Sequence, residues 1–245
     1  MSRGLGDVYK RQMKNTPFIA VTSQPVPYHA DTTAIFNTLC QQNSNSLLLD
    51  SAEIGSKNSL QSLILINAAV KITCLGNQVT FRALNANGKQ VLKEIHPVLS
   101  QLGTVSAVNF ENEFSVQFAP LDNQLDEDSK LQAATIFDGL RVISNHYQHS
   151  STPVFLGGLF AYDLVANFIP MQGVELKDDG IHCPDYSFYL AENLITIDHQ
   201  SQQATLKSFC FSQEEQVEVA KTALSIAQKL KNIDGVLSIK AASDE

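Results

Sequence analysis

Two strand-like runs close together in sequence most constrain this chain. "SFYLAENLITIDH" (187–199) and "ATLKSFCF" (204–211) are separated only by "QSQQ". Four residues cannot carry a crossover, so the two runs pair antiparallel as a long hairpin. Further strands are expected upstream. "SLLLD" ends at Asp50, and "SLILINAAVKITCL", "QVTFRAL" and "KQVLKEI" read as a meander with turns at Gly76-Asn77 and Asn87-Gly88. In "QVTFRAL" the residues Val79, Phe81 and Ala83 alternate with polar ones, giving one buried face.

Helices lie between the strand groups. Asp31 is the expected N-cap of the first, whose stripe is Ile35, Phe36, Leu39 and Cys40. A second is expected over 129–145, with Leu131, Ala134, Phe137 and Leu140 on one face. The last is expected over 213–231. Ser212 and Glu215 suit a capping box there, and Val217, Ala220, Leu224 and Ala227 form its inner stripe. Residues 96–128 and 171–182 read as irregular, and "PVFLGGLFAYDLV" as a strand bending into a short helix. Antiparallel strands with helices between groups define an α+β fold.

Composition excludes several functions. Net charge is −8 without a basic cluster in the body of the chain, so nucleic acid and anionic membranes are poor partners. The apolar runs near 62–66 and 153–162 are too short to span a bilayer, and the N-terminus lacks an apolar signal core. Cys40, Cys74, Cys183 and Cys210 are scattered without metal-ligand spacing. They read as buried free thiols in a reducing, cytoplasmic compartment. Residues 1–12, "MSRGLGDVYKRQ", are basic, lack periodicity and precede Met13; they read as a non-native leader.

Candidate chemistry is sparse. His146 and His149 lack a third metal ligand nearby and read as solvated. The glycines of "FLGGLF" serve either a ligand or tight strand packing. Asp163 reads as an N-cap and Asp185 as a turn former. The strongest candidate is "LLLDSAEIGSKNSL" (47–60). A leucine strand delivers Asp50 and Ser51 to its end. A carboxylate beside a hydroxyl suits an α-amino group or polar ligand head, or else caps the following loop.

Four segments, in order, carry a resemblance to a known family: "LLLDSAEIGSKNSLQSLILINAAVKITCLGNQVTF", "TIFDGLRVI", "FLGGLFAYDLVANF" and "CPDYSFYLAENLITIDHQ". Together they resemble the N-terminal region of anthranilate synthase component I, the large subunit from tryptophan biosynthesis, of enterobacterial type. The resemblance implies a layered core of antiparallel sheets with outer helices, of which 13–231 supply a regulatory part. It implies that Ser51 contacts tryptophan as feedback inhibitor and that Asp50 lies beside the inhibitor's ammonium. The family pattern has glutamate at position 50, so aspartate keeps the charge but retracts it by one methylene.

The resemblance further implies that the full-length lyase makes anthranilate from chorismate and glutamine or ammonia. Magnesium and a glutamine amidotransferase subunit, component II, would take part. No cofactor and no catalytic or metal-binding residue is expected in this stretch, and residues 232–245 read as a truncated join to a chorismate-binding domain. The chain alone is then expected to be inactive. Two other readings stay open: a stand-alone amino-acid-binding module, and the N-terminal part of aminodeoxychorismate synthase component I.

Overall fold

The computed structural model describes residues 16–41, 43–50, 60–120, 126–167 and 183–233. In chain order the elements are β1 (Ala20–Val26), α1 (Thr32–Cys40), β2 (Leu47–Asp50), β3 (Gln61–Leu75), β4 (Gln78–Ala83), α2 (Ala86–Leu99), β5 (Thr104–Asn109) and β6 (Glu113–Gln117). There follow α3 (Glu127–Gln132), α4 (Asp138–His146), β7 (Leu156–Phe160), a 3-10 helix (Tyr162–Asn167), β8 (Tyr186–Asp198), β9 (Gln203–Cys210) and α5 (Gln216–Lys231). Every strand pair of known register is antiparallel, and the fold is α+β. The described chain divides into two units, Val70–Tyr189 and Phe18–Ala69 with Leu190 onward; β3 and β8 lend residues to each.

The unit containing Asp50 has strands in the order β1, β9, β8, β3, with β2 on β3. The expected hairpin is present, with Asn193 opposite Ser208 and Asp198 opposite Gln203. Strand positions two apart place Ile64 and Ile66, Ile195 and Ile197, and Ala204 and Leu206 in one core. Ile35, Leu39 and Cys40 of α1 and Ala223, Ile226 and Leu230 of α5 pack into it. Asp31 caps α1, its carboxylate accepting the Ala34 N–H at 2.8 Å. His29 ties off α5, its Nε2 donating to the Leu230 carbonyl at 3.1 Å.

The buried stripe of α5 differs from the expected one. Val219, Ala223, Ile226 and Leu230 face inward, whereas Val217 and Leu224 are exposed. Both stripes fit a 3.6-residue period. The inward one carries more apolar area, because two of the four residues on the other are alanines. The capping box does not form either. Ser212 Oγ accepts from the Glu214 N–H at 3.2 Å, and the N-cap, Glu215, makes no side-chain cap.

In the other unit the strand order is β3, β4, β6, β5, with β7 on β8. Gly76 closes the expected β3–β4 turn at φ +57°, which suits glycine. "KQVLKEI" is not a strand. It lies in α2, capped by Asn85, whose side chain accepts the Gly88 N–H at 2.8 Å. Val91 and Ile95 fit strand alternation as well as helix, but Val91, Leu92, Ile95 and Leu99 are all buried, which only a helix achieves.

Residues 96–128, expected to be irregular, contain the β5–β6 hairpin. The helix expected over 129–145 is broken into α3 and α4. Asp138 causes the break by accepting the Thr135 N–H at 2.6 Å, a local bond that competes with the helix ladder. The core here stacks Phe81 of β4 on Phe114 of β6, with ring centroids 5.1 Å apart.

The orientation of α5 is testable. Ile226→Ala is expected to cost about 2–5 kcal/mol, and Leu224→Ala no more than about 0.5 kcal/mol. Urea unfolding measures both, and a larger loss at Leu224 would reverse the assigned face.

Candidate functional site

Asp50 ends β2, directly opposite Ser62 of β3. The register also sets Leu48 opposite Ile64, and Leu48 packs against the core. Positions 48 and 50 share a face, so Asp50 stands where the apolar face of β3 runs out near the start of α1. Its carboxylate is exposed and is held by two hydroxyls. Thr32, the first residue of α1, donates to Oδ2 at 3.2 Å. Ser62, fully buried, donates to Oδ1. Among the described residues no cation pairs with Asp50.

The bonding continues behind Ser62. His199, just past β8, places Nε2 2.8 Å from Ser62 Oγ. Its Nδ1 lies 3.2 Å from the Tyr28 hydroxyl. Donor polarity follows from valence. A carboxylate only accepts, so the single Ser62 proton goes to Asp50, and His199 must donate through Nε2. In a neutral imidazole Nδ1 is then the acceptor for the Tyr28 hydroxyl.

The backbone fixes the ring: His199 N–H donates to Leu60 O at 2.9 Å. Asp198 braces the turn by accepting the N–H groups of Gln200 at 2.9 Å and Ser201 at 3.1 Å. The Ser201 N–H is the main reason its carboxyl is held below the usual range. Ser51, the other expected ligand contact, lies outside the described residues, as does the loop 51–58. Of the expected pair the structure therefore describes Asp50 alone. It adds Thr32, Ser62, His199 and Tyr28, which the sequence reading missed. The one signal for Ser62 was a lone polar residue beginning the apolar run "SLILI".

The other candidates are structural or lie outside the description. A Cβ at Gly158 would fall 2.2 Å from Ser187 O and 2.6 Å from Phe188 Cα, so this glycine serves the packing of β7 on β8. Asp185 does more than form a turn. Its Oδ2 accepts the Gly76 N–H at 2.6 Å, clamping the β3–β4 turn. His146 is not solvated. Its Nε2 meets Glu94 Oε2 at 2.9 Å, and Tyr147 donates to the same oxygen at 3.0 Å. His149 is exposed. The side chain of Asp163, residues 1–12 and the tail beyond 233 lie outside the described residues.

The fold and the site define an α+β chain that presents an acidic group at a strand end. Comparison with known proteins makes this more specific. The chain is 86% identical over 228 residues to anthranilate synthase component 1 of Haemophilus influenzae, covering 93% of this chain and 44% of that protein. It is 44% identical to the Vibrio cholerae protein of the same name, over 81% of this chain and 38% of that one. With the Escherichia coli protein of that name the identity is 36%, over 80% and 37% respectively. No family model matches. The chain is thus similar to part of these anthranilate synthase component 1 sequences, and it spans less than half the length of these relatives.

All four cysteines are free, but Cys183 is exposed, contrary to the expectation that all are buried. Burial pushes the Cys74 thiol up to about 12, and the nearby Asp185 charge adds to the effect. Burial also raises Cys40 and Cys210. Because the thiolate is the nucleophile, N-ethylmaleimide at pH 8 is expected to label Cys183 first in the native protein. Peptide mass spectrometry reads the order, and prior labelling of Cys74 would contradict the burial described.

Proposed function

We propose that this chain is the tryptophan-sensing part of an anthranilate synthase component 1. The observation that carries this reading is the Asp50 carboxylate. It is exposed at the end of β2, oriented by two hydroxyls, free of cations among the described residues and next in sequence to Ser51. Such a group is preorganised for an ammonium, because two neutral donors orient it without supplying a counter-charge. Its described partners come from two separate elements, α1 and β3.

In this proposal the whole protein converts chorismate, with ammonia or glutamine as nitrogen source, to anthranilate in the cytoplasm. An amidotransferase subunit, component II, supplies the ammonia. Tryptophan bound at Ser51 and Asp50 reports the level of the end product. Among the described residues no three His, Cys, Asp or Glu side chains converge to hold a metal ion. Among those residues, too, no helix is long and apolar enough to cross a membrane.

In the full-length protein, Ser51→Phe is expected to relieve tryptophan inhibition while sparing uninhibited activity, since the ring fills ligand space and removes a hydroxyl. Asp50→Asn is expected to weaken inhibition by about 10- to 150-fold, the equivalent of about 1.5–3 kcal/mol for a hydrogen bond to a charged group. The tryptophan concentration giving half inhibition is the readout. Unchanged inhibition in both variants, with normal activity, would overturn the assignment.

A further inference from the structure

The proposed site gives Asp50 a role but leaves unexplained why a fully buried serine, a histidine and a tyrosine line up behind it. Ser62 occupies a phase of β3 that continues with Ile64 and Ile66, both in the core. A hydroxyl there forfeits apolar burial and has to be satisfied. It is satisfied twice, by Asp50 in front and by His199 Nε2 at 2.8 Å behind. Tyr28 closes the row at Nδ1, 3.2 Å away.

We propose that Ser62 and His199 are positioning residues for the amino-group end of the site. Together they hold the Asp50 carboxylate so that it accepts a ligand ammonium. This inference rests on the functional reading above.

The argument is directional. With the imidazole neutral, the protons run Tyr28 to His199, His199 to Ser62 and Ser62 to Asp50, so each donor points toward the carboxylate. Bonds in such a row polarise one another. The imidazole N–H blocks the alternative in which Ser62 turns its proton away from Asp50. Thr32 fixes the other oxygen at 3.2 Å, so both carboxylate oxygens have a defined donor and the plane of the group is set. Aspartate has only two side-chain torsions, and two donors from separate elements suffice to fix them. The ammonium then meets an acceptor already in place, which reduces the ordering cost of binding.

The groups around His199 are consistent with this use. Its backbone is pinned at Leu60, its turn is braced by Asp198, and its ring meets Tyr28 edge-on at 5.8 Å between centroids. The ring faces Ser62 and Tyr28 through its two nitrogens, which leaves neither for direct ligand contact. His199 therefore acts through Ser62.

The test uses the full-length protein carrying this segment and two probes, L-tryptophan and indole-3-propionate, which lacks the amino group. Binding is measured by titration calorimetry. Ser62→Ala and His199→Leu are expected to weaken tryptophan binding by about 2- to 12-fold, the worth of one neutral hydrogen bond. Indole-3-propionate binding should stay constant. His199→Gln, which keeps an N–H donor, should restore most of the tryptophan affinity. In an Asp50→Asn background, Ser62→Ala should have no further effect.

Equal losses for both probes would reduce Ser62 and His199 to general structural roles and overturn the proposal. Unchanged tryptophan binding in Ser62→Ala and His199→Leu, beside a clear loss in Asp50→Asn, would overturn it while leaving the functional reading intact. An Asp50→Asn protein that binds tryptophan normally would overturn this inference, and the functional reading as well if Ser51→Phe also binds tryptophan normally.

Discussion

Burial of one isoleucine-rich face holds the Asp50 unit together. Ile64 and Ile66 of β3 and Ile195 and Ile197 of β8 are covered by α1 and α5. Each such side chain contributes about 1.5–3 kcal/mol when taken out of water. The same burial fixes register. Sliding β2 by one residue along β3 would turn Leu48 out of the core and swing Asp50 to the opposite face. The polar site is thus located by apolar packing. Asp50 and Ser62 meet because the leucine two positions earlier must face inward.

A buried polar row beside such a core is tolerated because its members satisfy one another. Ser62 and Thr32 are both largely shielded from water, and each has a partner in Asp50. The carboxylate keeps its hydration on the exposed side, so the desolvation cost of a buried charge is avoided. The arrangement places a charge at the surface with its orientation set from the interior.

Much of this was legible in the sequence where the determining residues are neighbours. The β8–β9 hairpin needs only a short polar connector between apolar runs, and the cap of α1 needs only Asp31 and the backbone three residues on. Short windows failed where two periods fit equally well. "KQVLKEI" satisfies a strand and a helix, and only the continuation to Leu99 decides between them. The face of α5 was misread because the choice depends on volume in a core built by other elements. The placement of Asp50 at a strand end was legible from the three leucines before it. Its support was not, because Ser62 and His199 are 137 residues apart and meet only through folding.

The pairing of β1 with β9 carries a consequence for biosynthesis. Ala20–Val26 bonds to Gln203–Cys210, so one edge of this unit is made by the chain's early residues and its partner by late ones. At about 5–20 residues per second, a ribosome needs roughly 10–40 s to deliver the partner after the first strand emerges. The intervening stretch 70–189 is contiguous and can fold in that interval. The early strand and α1, with Ile35 and Leu39, must wait unpaired and keep their apolar faces from straying. Until Gln203–Cys210 emerges, Ala20–Val26 presents unpaired N–H and C=O groups, the kind of edge on which another chain can add a strand.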